Sequence, residues 1–278
     1  MKKLNISTLI SFIFLLCMTL IWIFPLAWAF FSSFKDEIDI QSYGFSMLPV
    51  HWVITNYQDL LFDNSSTPVA KWFMNSMIIS VTQTVLVLVV VSMAAYGYTR
   101  LRFKGRDWLF SLLLASMMFP AVVNLIPLYK IIDTLGWVNT YWAAIVPGAA
   151  AVFNVFLVRQ FMIGIPLELD ESARIDGAND FQIYTKVTLP LIKPVLTVVA
   201  LFTFTSSWND FLWPSIVFND IDRMPITPGL QLLQGMYVTD IGHAMSAALI
   251  AIVPTFILYL FTQRYFLQSM SLTSGVKG

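Results

Sequence analysis

The sequence predicts an all-α, polytopic membrane protein with six transmembrane helices. Of the 278 residues, 58% are hydrophobic and only 12% are charged, whereas ordinary soluble domains carry about 25% charged residues. A chain of this composition cannot cover a soluble globule with polar surface. The charged residues also leave six long intervals free of Asp, Glu, Lys and Arg. A helix that crosses the hydrocarbon core needs about 20 mostly apolar residues, so these intervals are candidate spans.

The charge-free intervals set the positions of the helices in a single transmembrane domain over 1–278. Five intervals have a spanning length, and the remaining one, 194–209, reaches it only if its helix continues past Asp210 through FLWPSIVF. Prolines at membrane depth bend helices, and Pro147-Gly148 is the hinge expected in the fourth span. The predicted spans are roughly 9–31, 72–99, 108–129, 140–162, 194–218 and 243–265.

The basic residues predict the orientation of the chain. If the N-terminus lies in the cytoplasm, 12 of the 16 Lys and Arg residues fall on the cytoplasmic side, and cytoplasmic segments beside membrane spans are enriched in these residues. The opposite orientation would reverse this bias. We therefore expect both termini, and the segment 163–193 between the fourth and fifth spans, to face the cytoplasm.

The first predicted span has a competing interpretation as a cleaved signal peptide. It has a basic start, and Ala27-Trp28-Ala29 resembles a signal-peptidase site. Its apolar run is longer than the run of about 7–15 residues in a typical signal, and Phe30 and Phe31 extend it further. Cleavage would also reverse the charge bias of the later segments, so we predict that the helix is retained.

The sequence carries no pattern of an enzyme or a metal site. It has no GxxxxGK[ST] phosphate loop, no HExxH and no cluster of His and Cys. The net charge is zero, which gives no bias toward nucleic acid. Asp210 is the only carboxylate inside a predicted span, whereas ion-coupled carriers often keep charged residues at mid-membrane. We expect no catalytic residue, no metal, no cofactor on this chain and no nucleic-acid partner, and the energy for active transport would come from another subunit.

The polar segment 163–193 predicts a helical hairpin between two apolar spans. Its first turns carry three acidic residues, which the helix dipole favours there. Glu171 and Arg174 can pair across one turn, and Gly177 suits the end of the first helix. A second helical pattern follows over 179–189. Such a hairpin either docks into a groove of a partner protein or lies at the membrane surface without a partner.

The stretch TFTSSWNDFLWP in the fifth span carries candidate residues of a substrate pathway. Hydrogen-bonding groups beside an aromatic plane suit the passage of a polar solute, whereas an aromatic belt at the membrane surface explains the tryptophans as well or better. Asn124 and Asn154 are further candidates, because isolated amides at membrane depth tend to face the bundle interior. The fifth-span candidates recur at helical spacing, with Asn209 beside them: Thr203, Ser206, Asp210 and Trp213.

The pattern E-S-A-x-x-D-G-A with a distal L-P resembles the EAA loop of the permease subunits of ABC importers. The family pattern is Glu-Ala-Ala, a glycine a few residues on and a distal Leu-Pro. Ser172 stands at the second position, where the family usually has alanine, and serine is also a small residue. The resemblance implies an ATPase-coupling site, with a coupling helix beginning near residue 167 that sits in a cleft of an ATPase subunit. The residues concerned are Glu171, Ser172, Ala173, Asp176, Gly177, Ala178, Leu189 and Pro190.

The similarity covers most of the chain and points to the sugar-transporting branch of this family. LPVHWVITNYQDLL, WFMNSMIIS, SSWNDFLWP and LTSGVKG are similar to carbohydrate importer permeases of the maltose-permease type. The resemblance implies a type I ABC importer transmembrane domain in the cytoplasmic membrane of a prokaryote. It would translocate a sugar or oligosaccharide by ATP-driven alternating access, and Lys277 in the C-terminal tail would reach the ATPase interface.

The same resemblance implies the partners of the chain. A second, homologous permease subunit, two ATPase subunits and an extracytoplasmic sugar-binding protein would assemble with it in the lipid bilayer. ATP and Mg would be bound by the ATPase, and this chain would be non-catalytic. Two alternatives stay open: the same machinery importing another solute (glycerol phosphate, a polyamine or an amino acid), and a secondary carrier without an ATPase. A third possibility, a membrane scaffold that transports nothing, would leave the helical hairpin without an explanation.

Overall fold

The computed structural model describes residues 6–42, 46–62, 67–236 and 241–274. Within these ranges the regular structure is helical and contains no strand, as the sequence predicts. Apolar runs become helices in a membrane protein because hydrocarbon offers the backbone N–H and C=O groups no water to bond. The helices are α1 (Ile6–Ser32), α2 (Glu37–Ser42), α3 (Thr55–Phe62), α4 (Val69–Arg100), α5 (Arg106–Ser116), α6 (Leu125–Thr134), α7 (Tyr141–Gly148), α8 (Val152–Ile163), α9 (Glu168–Ile175), α10 (Asp180–Leu191), α11 (Lys193–Trp208), α12 (Leu212–Val217), α13 (Ile226–Met236) and α14 (Ile241–Ser274).

Three helices are long and apolar enough to cross a membrane unbroken: α1, α4 and the part Ile241–Gln263 of α14. Three further candidate spans are pairs of helices that bend at a short break. By length and composition the described chain therefore has three membrane-crossing helices, or up to six if each bent pair forms one span. The bent pairs are Arg106–Ser116 with Ala121–Thr134 at 92°, Tyr141–Gly148 with Val152–Ile163 at 41°, and Asp180–Leu191 with Lys193–Trp208 at 77°.

Prolines lie at all three bends. Pro120 follows α5 in an extended conformation, and Pro147 stands in the last turn of α7, directly before Gly148. Pro190 and Pro194 flank the break between α10 and α11. Proline removes a backbone N–H and its ring collides with the preceding turn, so each of these helices ends or bends there. The predicted hinge in the fourth span coincides with one of the breaks.

The fifth predicted span, 194–218, contains two helices where one continuous helix was expected. Three residues separate α11 from α12. The Asn209 side-chain amide donates to the carbonyl of Thr205 at 2.9 Å. Short polar side chains of this kind offer the backbone local partners in place of the helical ladder. The helix therefore stops at the Asn-Asp pair and begins again after it.

The described chain forms two compact units. The assignment of one transmembrane domain over 1–278 stays a prediction. The first unit comprises Met1–Lys71 and Gly229–Phe256. In it, the hydroxyl of Ser246 on α14 donates to the carbonyl of Ser33 at 3.1 Å. The amide of Asn56 on α3 donates to the same carbonyl at 2.9 Å. These bonds join α3 and α14 to the chain that leaves α1.

The second unit, Trp72–Pro228 and Ile257–Gly278, holds the apolar core that positions the candidate site. On α4 the buried residues recur every four positions from Val87 to Ala95, which places them on one helix face. The core also includes Tyr184 of the polar segment, so the apolar helices and the polar segment share one packed interior. Its buried residues are Val87, Val91, Ala95, Tyr96, Val155, Val158, Met162, Tyr184, Ile192, Val195 and Val199.

Candidate functional site

The polar segment folds as a hairpin of two helices, α9 and α10, and we call residues 163–193 the hairpin. α9 begins with three acidic residues in its first turn, where the helix dipole favours negative charge. α10 contains a wide π turn at Tyr184–Thr188. Pro190 follows this turn and lacks the N–H that a regular helical ladder needs. The predicted second helical pattern thus becomes a helix that widens before it meets α11.

The turn between the two helices is built around Gly177. Its φ is +84°, a left-handed conformation that glycine adopts without steric cost. The N–H of Gly177 donates to the carbonyl of Arg174 at 3.0 Å, and the N–H of Ala178 donates to that of Ala173 at 3.0 Å. This pair of bonds is the Schellman helix ending. A Cβ at Gly177 would meet no atom within 4 Å, so the requirement for glycine is conformational.

A reciprocal cap starts α10. The N–H of Asn179 donates to the side-chain oxygen of Gln182, and the N–H of Gln182 donates to the side-chain oxygen of Asn179, both at 2.9 Å. Such a capping box satisfies two of the N–H groups that a helix start leaves without partners. Sequence reasoning missed this cap, although asparagine followed three residues later by glutamine is its signal.

Arg174 pairs with Asp180 of α10, so the predicted pair with Glu171 is wrong. The guanidinium of Arg174 and the carboxylate of Asp180 meet at 2.5 Å, and each side chain is 51% exposed. The turn at Gly177 brings the start of α10 back beside the end of α9, which places this carboxylate within reach. A half-exposed pair contributes about 0–1 kcal/mol, so its main effect is on the geometry of the turn.

The hairpin exposes large apolar side chains beside its charges. Ile175 is 86% exposed and Phe181 is 67% exposed, one on each side of the turn. Exposed apolar groups rimmed by polar residues mark an interaction surface. The predicted coupling residues lie on the same hairpin: Glu171, Ser172, Asp176, Gly177 and Pro190 are exposed, and Ala173, Ala178 and Leu189 are half-buried.

A buried ion pair fixes α9 to the end of α4. Arg100 Nε lies 3.1 Å from Asp170 Oδ2, and the two side chains are only 3% and 9% exposed. The contact is an ion pair and not an aligned hydrogen bond. Arg100 Nη2 also donates to the carbonyl of Ile165 at 2.9 Å. One guanidinium therefore holds the last residue of α4, the start of the hairpin and α9 together.

Two tyrosines extend this attachment to α10. The hydroxyl of Tyr96 on α4 donates to the carbonyl of Asp180 at 3.1 Å. The hydroxyls of Ser92 and Tyr184 are hydrogen-bonded at 2.7 Å, and the two tyrosine rings lie 5.3 Å apart. Both helices of the hairpin are thus attached to the same membrane helix. Sequence reasoning missed these contacts because they join residues more than 80 positions apart.

Two of the predicted pathway amides line cavities in the second unit. Asn154 on α8 donates to the hydroxyl of Thr203 on α11 at 3.3 Å, beside a cavity of about 220 Å³. Asn209 and Asp210 line a larger open pocket of about 870 Å³. Ser206 lines both. The structure therefore places Asn154 close to the break after α11. The sequence alone did not reveal that these faces of α8 and α11 are neighbours.

Trp213 and Asn124 do not join these cavities. Trp213 is 9% exposed within a core that includes Ile145, and its indole N–H donates to the carbonyl of Ala143 at 2.8 Å. The helix break before α12 takes it off the face that Thr203 and Ser206 share, and its place in the pathway stays a prediction. Asn124 is exposed at the 92° bend and lines neither cavity. Lys277 lies outside the described residues.

Bent apolar helices, cavities lined in part by amides and an attached polar hairpin are typical of the membrane component of a transport system. Residues 87–272 match the family described as binding-protein-dependent transport system inner membrane component. The match covers more than half of the chain and includes the whole hairpin. The chain belongs to this family and is a multi-pass, membrane-embedded subunit.

Curated relatives match along almost the whole chain. The arabinooligosaccharides transport system permease protein AraQ of Bacillus subtilis is 33% identical over 268 residues, which cover 96% of this chain and 94% of AraQ. The diacetylchitobiose uptake system permease protein NgcG of Streptomyces coelicolor is 33% identical over 266 residues, covering 94% and 87%. The galactooligosaccharides transport system permease protein GanQ of Bacillus subtilis is 31% identical over 276 residues, covering 98% and 96%.

A solved structure confirms the predicted fold. The chain is similar to one in the crystal structure of a bacterial ABC transporter involved in the import of the acidic polysaccharide alginate. The TM-score is 0.80, the match covers 96% of this chain and 98% of the other, and the sequence identity is 24%. At this identity the likeness shows the architecture alone, which is that of an ABC importer transmembrane subunit.

The buried ion pair gives a direct test of how the hairpin is held. Arg100→Met leaves the Asp170 carboxylate buried without its partner, and we expect it to lower the free energy of unfolding by about 3–5 kcal/mol. The double variant Arg100→Met/Asp170→Leu removes both charges and should recover most of this loss. Thermal or denaturant unfolding of the purified protein measures both effects.

Arg102→Met is the matched control, because Arg102 is exposed and a surface change of this kind stays within about 0.5 kcal/mol. Equal losses for the single and the double variant would show that the charges do not depend on each other.

Proposed function

We propose that the chain translocates a sugar or oligosaccharide across the cytoplasmic membrane as the permease subunit of a binding-protein-dependent ABC importer. Its family supports the importer, and three relatives named for arabinooligosaccharides, diacetylchitobiose and galactooligosaccharides support the substrate class. Import of another solute by the same machinery is the alternative. This chain is non-catalytic, and ATP and Mg bind to a separate ATPase.

The observation that carries the proposal is the hairpin. Its exposed apolar residues Ile175 and Phe181 suit the groove of a partner protein, and its charged rim suits the edge of such a groove. Its base is attached to α4 through the buried pair of Arg100 and Asp170. A hairpin lying at the membrane surface without a partner would have no use for this rigid attachment. An ATPase subunit that binds the tip gains control of the membrane helices.

Alternating access follows from this coupling. ATP binding closes the ATPase dimer, and the closed dimer binds the outward-open arrangement of the two permease subunits better than the inward-open one. A ligand shifts such an equilibrium only through its differential affinity for the two states, and the hairpin is where this difference acts. A sugar-binding protein delivers the substrate on the outer side, and Lys277 in the C-terminal tail contacts the ATPase interface.

The polar groups of the second unit supply this subunit's part of the pathway. Asn154, Asn209 and Asp210 stay in the proposal because they line cavities. Polar side chains at membrane depth are costly against lipid and are retained where they face water or a partner. Asn124 is kept as a weaker candidate, at the bend between α5 and α6.

Purification of a tagged chain from native membranes tests the assembly. We expect a second permease subunit and an ATPase with a phosphate-binding loop to copurify in fixed proportion, with ATP hydrolysis stimulated by a binding protein. Ile175→Asp should retain the second permease and lose the ATPase. The control Ile38→Asp alters an isoleucine that is also exposed, at 69%, on the predicted outer side, and should keep both. A purified chain that transports without an ATPase would identify a secondary carrier.

Uptake by cells with and without the gene tests the substrate class. We expect the deletion to abolish uptake of at least one labelled oligosaccharide among arabinotriose, galactobiose, diacetylchitobiose and maltotriose, and complementation to restore it. Unchanged uptake of all four, with loss of glycerol phosphate, spermidine or amino acid uptake, would favour the alternative solutes.

Gly177 gives a test of the coupling turn. Gly177→Val forces a β-branched residue into the left-handed conformation, at a cost of about 1–2 kcal/mol or more, and we expect at least a tenfold loss of ATP-driven uptake. Gly177→Asn is the control, because asparagine tolerates this conformation, and it should keep most of the activity. Wild-type uptake by a correctly inserted Gly177→Val protein would contradict the role of the turn.

A further inference from the structure

A polar cavity of about 220 Å³ lies among α4, α11 and the break between α7 and α8. It is small beside the neighbouring pocket of about 870 Å³, and this size suits one sugar ring and not a chain. All its walls belong to the second unit. The lining side chains are neutral, and those that matter here are Gln83, Gly148, Asn154, Phe202, Thr203 and Ser206.

The position of the cavity argues for contact with water and not with lipid. Gln83 and Asn154 lie inside predicted spans and are half-buried, and Ser206 is exposed. A polar group that faces hydrocarbon without a partner is costly. Polar groups on adjoining faces of α4, α8 and α11 are tolerated where they bond to one another, line an aqueous space or bind a ligand.

The hydrogen bonds within the cavity leave its amides with free capacity. Ser207 Oγ donates to Gln83 Oε1 at 2.8 Å, so both N–H groups of the Gln83 amide have no partner among the described residues. Asn154 uses one N–H on Thr203, and its carbonyl oxygen likewise has none there. The cavity thus offers free donors on one wall and a free acceptor on another.

The break in the fourth span makes room for Gln83. Its amide nitrogen lies so close to the backbone of Gly148 that a Cβ there would overlap it. Pro147 ends α7 at this point, and α8 resumes at Val152 after a bend of 41°. Irregular backbone at membrane depth is tolerated where it lines a cavity, and interrupted helices mark binding sites in other transporters. Gly148, in the hinge predicted from Pro147-Gly148, therefore forms part of the wall of this cavity.

We propose that the cavity is a subsite for one ring of a neutral sugar. This inference rests on the proposed function and makes it specific, since it assigns substrate contact to this subunit. The Gln83 amide donates to ring hydroxyls, the Asn154 carbonyl accepts from one, and Phe202, 48% exposed, covers the C–H face of the ring. No ionised side chain lines the cavity, which disfavours a phosphate, an amine or a carboxylate. The adjoining pocket at Asn209 receives the next ring.

Cysteine labelling tests access and occupancy. Cys17 is the only cysteine, so Cys17→Ser provides the background for Ser206→Cys and for the control Val85→Cys, which is 57% exposed two residues from Gln83. In the complete transporter in vesicles, a small hydrophilic thiosulfonate should modify Ser206→Cys and not Val85→Cys. A saturating transported sugar among arabinotriose, galactobiose, diacetylchitobiose and maltotriose should slow the reaction at least fivefold.

If Ser206→Cys stays unmodified both with and without ATP and vanadate, the proposal that the cavity contains water is wrong. If every sugar leaves the rate of modification unchanged from that without sugar, the proposal of a sugar subsite is wrong.

Transport by Gln83→Leu separates this subsite from the coupling function. We expect at least a tenfold loss of sugar uptake, measured beside ATP hydrolysis stimulated by the binding protein, because the subsite loses its amide donor. Val85→Ala is the control and should change neither. Wild-type uptake by Gln83→Leu would refute the proposed subsite and leave the proposed importer function intact. A complex of the unchanged protein whose ATP hydrolysis is not stimulated by the binding protein would refute the importer function itself. If Gln83→Leu fails to assemble, the labelling result decides.

Discussion

The buried pair of Arg100 and Asp170 is the interaction on which the position of the hairpin depends. Removing two charges from water costs several kcal/mol per ion, and their attraction offsets this only in a fixed geometry with further hydrogen bonds. Arg100 meets that requirement through Asp170 and the carbonyl of Ile165. Separation of α9 from α4 would leave a buried charge without a partner. The electrostatic constraint therefore makes α9, the proposed coupling helix, a rigid extension of a membrane helix.

The packed core carries this constraint from the hairpin toward the cavity. Val87, Val91 and Ala95 of α4 pack with residues of α8, α10 and α11, and close-packed interiors transmit displacement because they have few voids. Gln83 lies 17 residues before Arg100 on the same helix, or about 25 Å along its axis. One helix thus carries the attachment of the hairpin and a wall of the proposed sugar subsite. In the proposed mechanism it joins the ATPase-binding hairpin to the substrate pathway.

The sequence predicts the helical class, the importer family and the turn at Gly177, because these depend on composition, charge-free length and a local motif. It does not predict the break at Asn209 and Asp210, where the Asn209 side chain bonds to a backbone carbonyl of the preceding turn. Trp213 then leaves its expected face. Arg174 takes Asp180 in place of Glu171 because the turn creates a neighbour that spacing along one helix cannot reveal. The pair of Arg100 and Asp170, and the cavity at Gln83, join residues distant in one sequence.

A distance along the second unit tests the central claim, that the hairpin and α4 move as one body. Spin labels at Met74→Cys, near the start of α4, and Glu168→Cys, at the start of α9, are both on exposed residues and, in the Cys17→Ser background, report this distance in the assembled transporter. We predict the same distance distribution without nucleotide and with ATP and vanadate, and a broader, shifted one after Arg100→Met. A shift in the protein that retains Arg100, on addition of nucleotide, would contradict the account.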